Sequence, residues 1–376
     1  MTPKPAIEPK HSDENYEVQL KNKLQLFTNS LKRFGDYDIE VHKSSPTAFR
    51  MRAEFRIWHE AGIAHYAMNK PGEKRPYIIT QFPIGGPLIQ RNMAPLLVSI
   101  NADPTLSKRL FSVEFLTSKS GETLITLIYH RPLDDLWRAS AASLEKELNV
   151  FVIGRSRKQK IVISQDFITE RISVGGRDYQ YQQIETGFTQ PNVDINIKML
   201  TWASGCCKAS KVKHDLLELY CGNGNFTAVL AQHFDKVLAT EVAKISVNSA
   251  QTNFQSNQIN NVSVVRLSSE EITQALNGER PFRRLKEIEL SQFNFSTIFV
   301  DPPRSGLDEG TVLLASQFDQ ILYISCNPLS LMDNLRVLCK THDIEKVAAF
   351  DQFPWTGHLE TGVLLKKKAL TQAQPS

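Results

Sequence analysis

Apolar residues recur every three or four positions from Tyr16 to Phe34, through Leu20, Leu24, Phe27 and Leu31. That is the period of a helix with one buried face. After Gly35 the period changes to two. In AFRMRAEFRIW, residues 48–58, Phe49, Met51, Ala53, Phe55 and Ile57 alternate with Arg50, Arg52, Glu54, Arg56 and Trp58. Such a strand buries one face and turns three arginines to the other. Further strands are predicted at LFSVEFLTS (110–118) and TLITLIYH (123–130), and a helix through Trp137, Ala141, Leu144 and Leu148. NVFVIGRSRKQKIVIS (149–164) reads as one strand carrying four basic residues, and RISVGGRDYQYQQI (171–184) as a hairpin turning at Gly175 and Gly176. The first half should therefore be α+β and mostly antiparallel.

From about residue 190 the rhythm becomes strand, helix, strand, helix. DLLELY (215–220), KVLATEV (236–242), VSVVRL (262–267), STIFVDPP (296–303) and QILYISCNP (320–328) are strand-like, and helical patterns follow most of them. Alternation of this kind predicts an α/β doubly wound, mainly parallel sheet. Two domains follow, residues 1–178 and 179–376, the first opening on a polar, Pro-rich tail over residues 1–14.

Composition adds limits. Over 376 residues the chain is 41% hydrophobic and 22% charged, an ordinary globular balance. No run is long and apolar enough to cross a membrane, and MTPKPAIEPKHSDENYE lacks the apolar core of a signal peptide. The five cysteines, Cys206, Cys207, Cys221, Cys326 and Cys339, show no C-x-x-C spacing, so free thiols in a reducing cytoplasm are expected. His59, Glu60 and His65 lack the four-residue histidine spacing of a metalloprotease helix, and no metal is expected. Net charge divides unevenly: residues 1–178 carry 26 basic against 20 acidic side chains, the remainder 18 against 20. A basic first half is compatible with a polyanionic partner.

Candidate chemistry gathers at predicted strand ends. Gly222 and Gly224 form a G-x-G between a strand and a helix, without the third glycine of the dinucleotide fingerprint. Glu241, 17 residues beyond Gly224, ends the next strand, where a carboxylate can accept both hydroxyls of a ribose. A nucleoside without a pyrophosphate, such as that of S-adenosyl-L-methionine (AdoMet), fits these features better than NAD. Asp301 and Cys326 close the fourth and fifth strands. Ligands of open α/β sheets bind in that crevice. A free cysteine is often an inert buried hydrophobe, but one at this edge is also placed as a nucleophile.

With these residues, the chain resembles the RNA uracil-C5 methyltransferases, and among them the bacterial tRNA (uracil-5-)-methyltransferases. FTQPN (188–192), LELYCGNGNF (217–226), FVDPPRSGLD (299–308), LYISCNP (322–328) and HLETGVLL (358–365) occur in family order and spacing. The resemblance implies a Rossmann-like AdoMet-dependent methyltransferase domain behind an N-terminal RNA-recognition domain, and methylation of the T-loop uridine of tRNA (5-methyluridine at position 54), with T-loop-like RNAs such as tmRNA as further substrates. By motif, it implies cofactor contacts at Gln190, Tyr220, Asn225, Glu241 and Asp301, a nucleophile at Cys326 and a proton acceptor at Glu360. No cysteine precedes Cys206, so the iron–sulfur cluster of related rRNA enzymes should be absent, and the short tail leaves no room for the OB-like domain of other relatives. A monomer that binds the T-arm of tRNA is expected. Arg50, Arg52, Arg56 and Phe111 are the candidate RNA contacts, a charged strand face beside a stacking ring. The rivals are an exocyclic-amine methyltransferase, disfavoured because Arg304 follows the prolines where those enzymes carry an aromatic residue, a cytosine-C5 methyltransferase, and a tRNA-folding chaperone in which methylation is secondary.

Overall fold

The computed structural model describes residues 12–70, 72–73, 75–207 and 214–369. In chain order the strands begin with β1 (Ile39–His42), β2 (Arg52–Glu60), β3 (Ile63–Met68), β4 (Tyr77–Ile78), β5 (Leu110–Thr117) and β6 (Thr123–Tyr129). There follow β7 (Phe151–Ser156), β8 (Gln159–Val162), β9 (Phe167–Val174), β10 (Arg177–Ile184), β11 (Asp215–Leu219) and β12 (Val237–Thr240). The last are β13 (Val262–Val265), β14 (Phe295–Val300), β15 (Gln320–Ser325), β16 (His342–Phe350) and β17 (Glu360–Lys367).

Two compact units emerge. The first is built on Ser45–Arg171 and Gln182–Val193, the second on Tyr16–Ser44, Ile172–Tyr181 and Asp194 onward. They interleave along the chain, where the sequence suggested a single division after residue 178. The helix Asp13–Leu31 accounts for part of the difference: its apolar stripe sends Phe27 and Leu31 into the core of the second unit.

In the first unit a seven-stranded sheet runs β4-β3-β2-β5-β6-β7-β8. It is antiparallel except for β6 and β7, which pair in parallel. The helix Asp135–Leu148 makes that crossover, capped by Asp134, which accepts from Trp137 N at 2.9 Å. Its buried residues Trp137, Ala141 and Leu144 join the core formed by Phe55, Val113, Phe115, Ile125 and Leu127. One sequence expectation is corrected here. NVFVIGRSRKQKIVIS is not one strand but the hairpin β7–β8, with Lys158 left-handed at φ +61°. Arg155 and Lys160 stand opposite each other across it, a repulsive pairing, and the buried carboxylate of Glu185 binds both.

The second unit holds an eight-stranded sheet in the order β1-β16-β17-β15-β14-β11-β12-β13. All neighbours are parallel except β17, which runs antiparallel between β15 and β16. Central strands β11, β12, β14 and β15 are buried over most of their length, which is why they read as apolar runs rather than alternations. The pattern analysis missed β1, β16 and β17 and the helices Pro87–Ala102, Val193–Cys207 and Glu309–Ala315.

Candidate active site

Register fixes the site. β11 pairs Leu219 with Thr240 on one side and Val300 on the other, and β14 pairs Val300 with Tyr323. The residues that follow, Tyr220, Glu241 and Asp301, therefore leave the sheet side by side at one edge, and Cys326 leaves β15 two residues further along. β17 arrives from the opposite direction. Ser325 pairs with Thr361 and Phe350 with Glu360, so Glu360 faces Cys326 one step beyond the last β15–β17 pair. Parallel strands with one inserted antiparallel strand thus bring an acid near the C-terminus to a thiol 34 positions earlier.

The turn after β11 makes the cofactor side. Tyr220 is left-handed at φ +61°, an uncommon state for a tyrosine, and Gly222 and Gly224 follow at φ +56° and +79°. A Cβ on Gly224 would stand 2.6 Å from the Phe254 ring, whereas one on Gly222 would project into open space. Gly222 N donates to Glu241 Oε2 at 3.1 Å and Ala243 N to Oε1 at 2.8 Å. The carboxylate is thereby aimed while keeping lone pairs for a ligand. A glycine bordering free space beside an oriented acid fits a nucleoside. Asn225 begins the helix Asn225–Leu230, and its side-chain amide is paired reciprocally with that of Asn196 at 2.8 and 3.0 Å. Its carbonyl accepts from Tyr181 Oη at 3.0 Å.

The nucleophile side is an elbow. Ser325 Oγ accepts from Asn327 N at 3.2 Å, and Asn327 Oδ1 accepts from Leu329 N, also at 3.2 Å, capping the helix Pro328–Leu338. Asn327 Nδ2 donates to the Arg304 carbonyl at 2.8 Å. Buried Asn334 holds the neighbouring loop: its Oδ1 accepts from Leu307 N and Tyr323 Oη, and its Nδ2 donates to the Leu307 carbonyl. Asn327 and Pro328 therefore end the strand by opening the next helix and tying the elbow to the Arg304 carbonyl, which leaves Cys326 at the turn.

Electrostatics at this edge are crowded. Burial, then the charges of Glu360 and Asp301, push the half-buried Cys326 thiol up to about 11, while Arg304 pulls it down. Burial raises Asp301 to about 7. Glu360, buried at the start of β17, is held well above the usual carboxylate range by burial and by Asp301, against Arg304. Arg304 Nη2 lies 3.3 Å from His358 Nε2. Sequence reasoning did not assign roles to Arg304, His358, Asn196 or Glu218. Glu218, in the middle of β11, is buried and raised to about 8. A charged residue inside the apolar run DLLELY was the available signal.

Tyr220, Asn225, Glu241, Asp301, Cys326 and Glu360 all belong to the second unit. Gln190 belongs to the first, half-buried just before the helix Val193–Cys207. The RNA candidates also lie in the first unit, where the expected three-arginine face divides. Arg50 Nε donates to the Arg52 carbonyl at 2.8 Å. Arg52 donates to the carbonyls of Glu185 and Gly187, each at 2.8 Å, and pairs with Glu114 at 3.3 Å. Exposed Arg56 instead lies over the Phe111 ring at 5.6 Å, and that ring stacks on His130 with centroids 4.2 Å apart.

A Rossmann-like sheet with a Gly-rich turn, an acid after the second strand and a thiol–carboxylate pair at the same edge defines the class as an AdoMet-dependent methyltransferase. The chain belongs to the tRNA (uracil-5-)-methyltransferase family, whose model matches residues 15–368. It is 52% identical over 356 residues to a tRNA/tmRNA (uracil-C(5))-methyltransferase of Saccharophagus degradans, covering 94% of this chain and 97% of that protein. It is 53% identical over 361 residues to one of Cellvibrio japonicus, covering 95% and 97%. The fold matches a Pyrococcus abyssi tRNA (uracil-54, C5)-methyltransferase in complex with S-adenosyl-L-homocysteine, at a TM-score of 0.69 and 20% identity, over 93% of this chain and 83% of that one.

Proposed function

We propose that the protein transfers the methyl group of AdoMet to C5 of the T-loop uridine of tRNA, and of tmRNA, through a covalent Cys326 adduct resolved by Glu360. The carrying observation is the register that sets Glu360 opposite Cys326 beside Asp301. Uracil C5 is a poor nucleophile. Addition of the Cys326 thiolate to C6 forms an S–C6 bond and moves the ring electrons into an enolate, which makes C5 carbanion-like. When bound, AdoMet would supply an electrophilic methyl group to C5, its S–CH3 bond breaking with the electron pair left on a departing neutral thioether. Glu360 then removes the C5 proton, and the ring electrons expel the thiolate as the S–C6 bond breaks. A base must lie within hydrogen-bond reach of its proton, and a facing position on the adjacent strand supports this.

The thiol must first ionise. Arg304 favours the thiolate, and so does its place just ahead of the N-terminus of the helix Pro328–Leu338. Gly222 and Glu241 hold the cofactor's nucleoside, with Tyr220, Asn225, Asp301 and Gln190 as further contacts. Residues 1–178 recognise RNA and 179–376 carry the chemistry, except that Tyr16–Ser44 and Ile172–Tyr181 go with the second unit and Gln182–Val193 with the first. In the first unit Arg56, Phe111 and His130 offer a cationic, stackable surface suited to an RNA loop, and Arg50 and Arg52 support that strand. The uridine is extruded from the loop to reach the thiol, which costs a few kcal/mol. The enzyme acts as a cytoplasmic monomer without an iron–sulfur cluster.

Incubation of the purified protein with unmodified tRNA and methyl-labelled AdoMet, followed by nucleoside analysis, tests the function. Label in 5-methyluridine is expected. Label in 5-methylcytidine or in an N-methylated base would contradict it.

A further inference from the structure

The loop between β16 and β17, residues 351–359, carries His358 and delivers Glu360 to the edge. Besides bonds within the loop, one helix more than 300 residues earlier binds it at four points. Lys23 Nζ donates to Asp351 Oδ1 at 2.7 Å and to the Phe353 carbonyl at 2.9 Å. Gln19 Nε2 donates to the Thr356 carbonyl at 3.0 Å, and Gln19 Oε1 accepts from Trp355 N at 3.1 Å. Tyr16 meets the Trp355 ring edge-on at 6.1 Å and accepts from Ser44 N through its hydroxyl at 2.9 Å. Tyr16, Gln19 and Lys23 are spaced three and four apart, hence on one face of the helix.

The Lys23–Asp351 pair is buried, its side chains 5% and 0% exposed. Such a pair adds little net stability compared with apolar packing, but removing either partner is costly, so it ties the two segments that carry it together. Here one of those segments is a loop holding Trp355 at φ +65°, a backbone state that persists only where the surroundings enforce it. Asp351 directly follows Phe350, the partner of Glu360 in the ladder.

We infer that the helix Asp13–Leu31 is a splint for the base: Tyr16, Gln19 and Lys23 are positioning residues that lock the 351–359 loop and so fix Glu360 for removal of the C5 proton. The inference rests on the proposed covalent route. It predicts a defect confined to the second half of the reaction, which loss of general stability would not produce. Single turnovers with T-arm RNA and AdoMet would be quenched in denaturant and run on a gel that separates free methylated RNA from the protein–RNA adduct.

Glu360→Gln serves as the reference and should trap the adduct. Lys23→Met should form adduct at a rate close to wild type but resolve it roughly tenfold to a hundredfold more slowly, the scale of a misplacement of about 1 Å. Gln19→Ala leaves no uncompensated buried charge and should show the same delay, smaller, so it decides the matter if Lys23→Met does not fold. Equal loss of formation and resolution in Gln19→Ala, or wild-type resolution there, would overturn the splint. Methylated RNA formed by Glu360→Gln with no adduct would overturn the covalent route itself, and the splint with it, whereas absence of 5-methyluridine in wild type would overturn the proposed function.

Discussion

In the proposed route Cys326 carries the chemistry, and its surroundings set an unusual starting point. Burial, and after it two carboxyl groups, hold its thiol up at about 11, against an ordinary 9.0. A raised value leaves little thiolate at neutral pH, so alkylation of Cys326 by iodoacetamide in the cofactor-free enzyme should keep rising through pH 9 and level only near 11. Arg304→Gln removes the cation that favours the thiolate and should slow alkylation at pH 9; peptide mass spectrometry reads both, and a profile levelling below pH 9 would count against this environment. At this scale the sequence was informative where chemistry restricts residue type. Cys326, Glu241 and Asp301 stood out because each ends a strand-like run, and Glu360 came from its motif. Arg304 and His358 were not legible as a pair, because they are 54 positions apart and meet only through the fold.

Among the elements, β11 shows what periodicity hides. Its five residues are all buried, Glu218 included. Burial, with Asp301 adding to it against Thr227, raises that carboxyl to about 8 from an ordinary 4.5. Between those values the folded chain keeps a proton that the unfolded chain releases, so stability falls as pH rises from 4.5 towards 8. Glu218→Gln should remove this slope, raising the free energy of unfolding more at pH 8 than at pH 5, by an amount that approaches a few kcal/mol at about 1.4 kcal/mol per pH unit, and thermal melts at the two pH values read it. Parallel pH profiles for the two proteins would contradict it. The strand rhythm of the second half was legible because doubly buried strands are continuous apolar runs. β1, β16 and β17 were not, since β1 is four residues long and β16 mixes charged with apolar positions. The 149–164 segment was read as one strand because its turn, at Arg157 and Lys158, contains no glycine or proline.

For the whole molecule, the basic balance of residues 1–178 and the Arg56–Phe111–His130 surface are what support the proposal that the first unit binds RNA. Phe111→Ala should weaken tRNA binding by about 1–3 kcal/mol, the scale of one lost stacking contact, and leave AdoMet affinity in the second unit unchanged. Arg56→Ala should weaken binding less and lower its salt dependence. Filter binding at several salt concentrations beside calorimetry with AdoMet reads both, and unchanged tRNA affinity in Phe111→Ala would remove that ring from the interface. The division of the chain was only partly legible, because the helix Asp13–Leu31 joins the distant unit through a lysine–aspartate pair 328 positions apart, which no local pattern reports. The most direct measurement is the intact mass of Glu360→Gln mixed with T-arm RNA and AdoMet. The account predicts a species equal to protein plus RNA plus one methyl group, with the cross-link mapped to Cys326. Methylated RNA released with no such species, or the same species formed by Cys326→Ser, would contradict it.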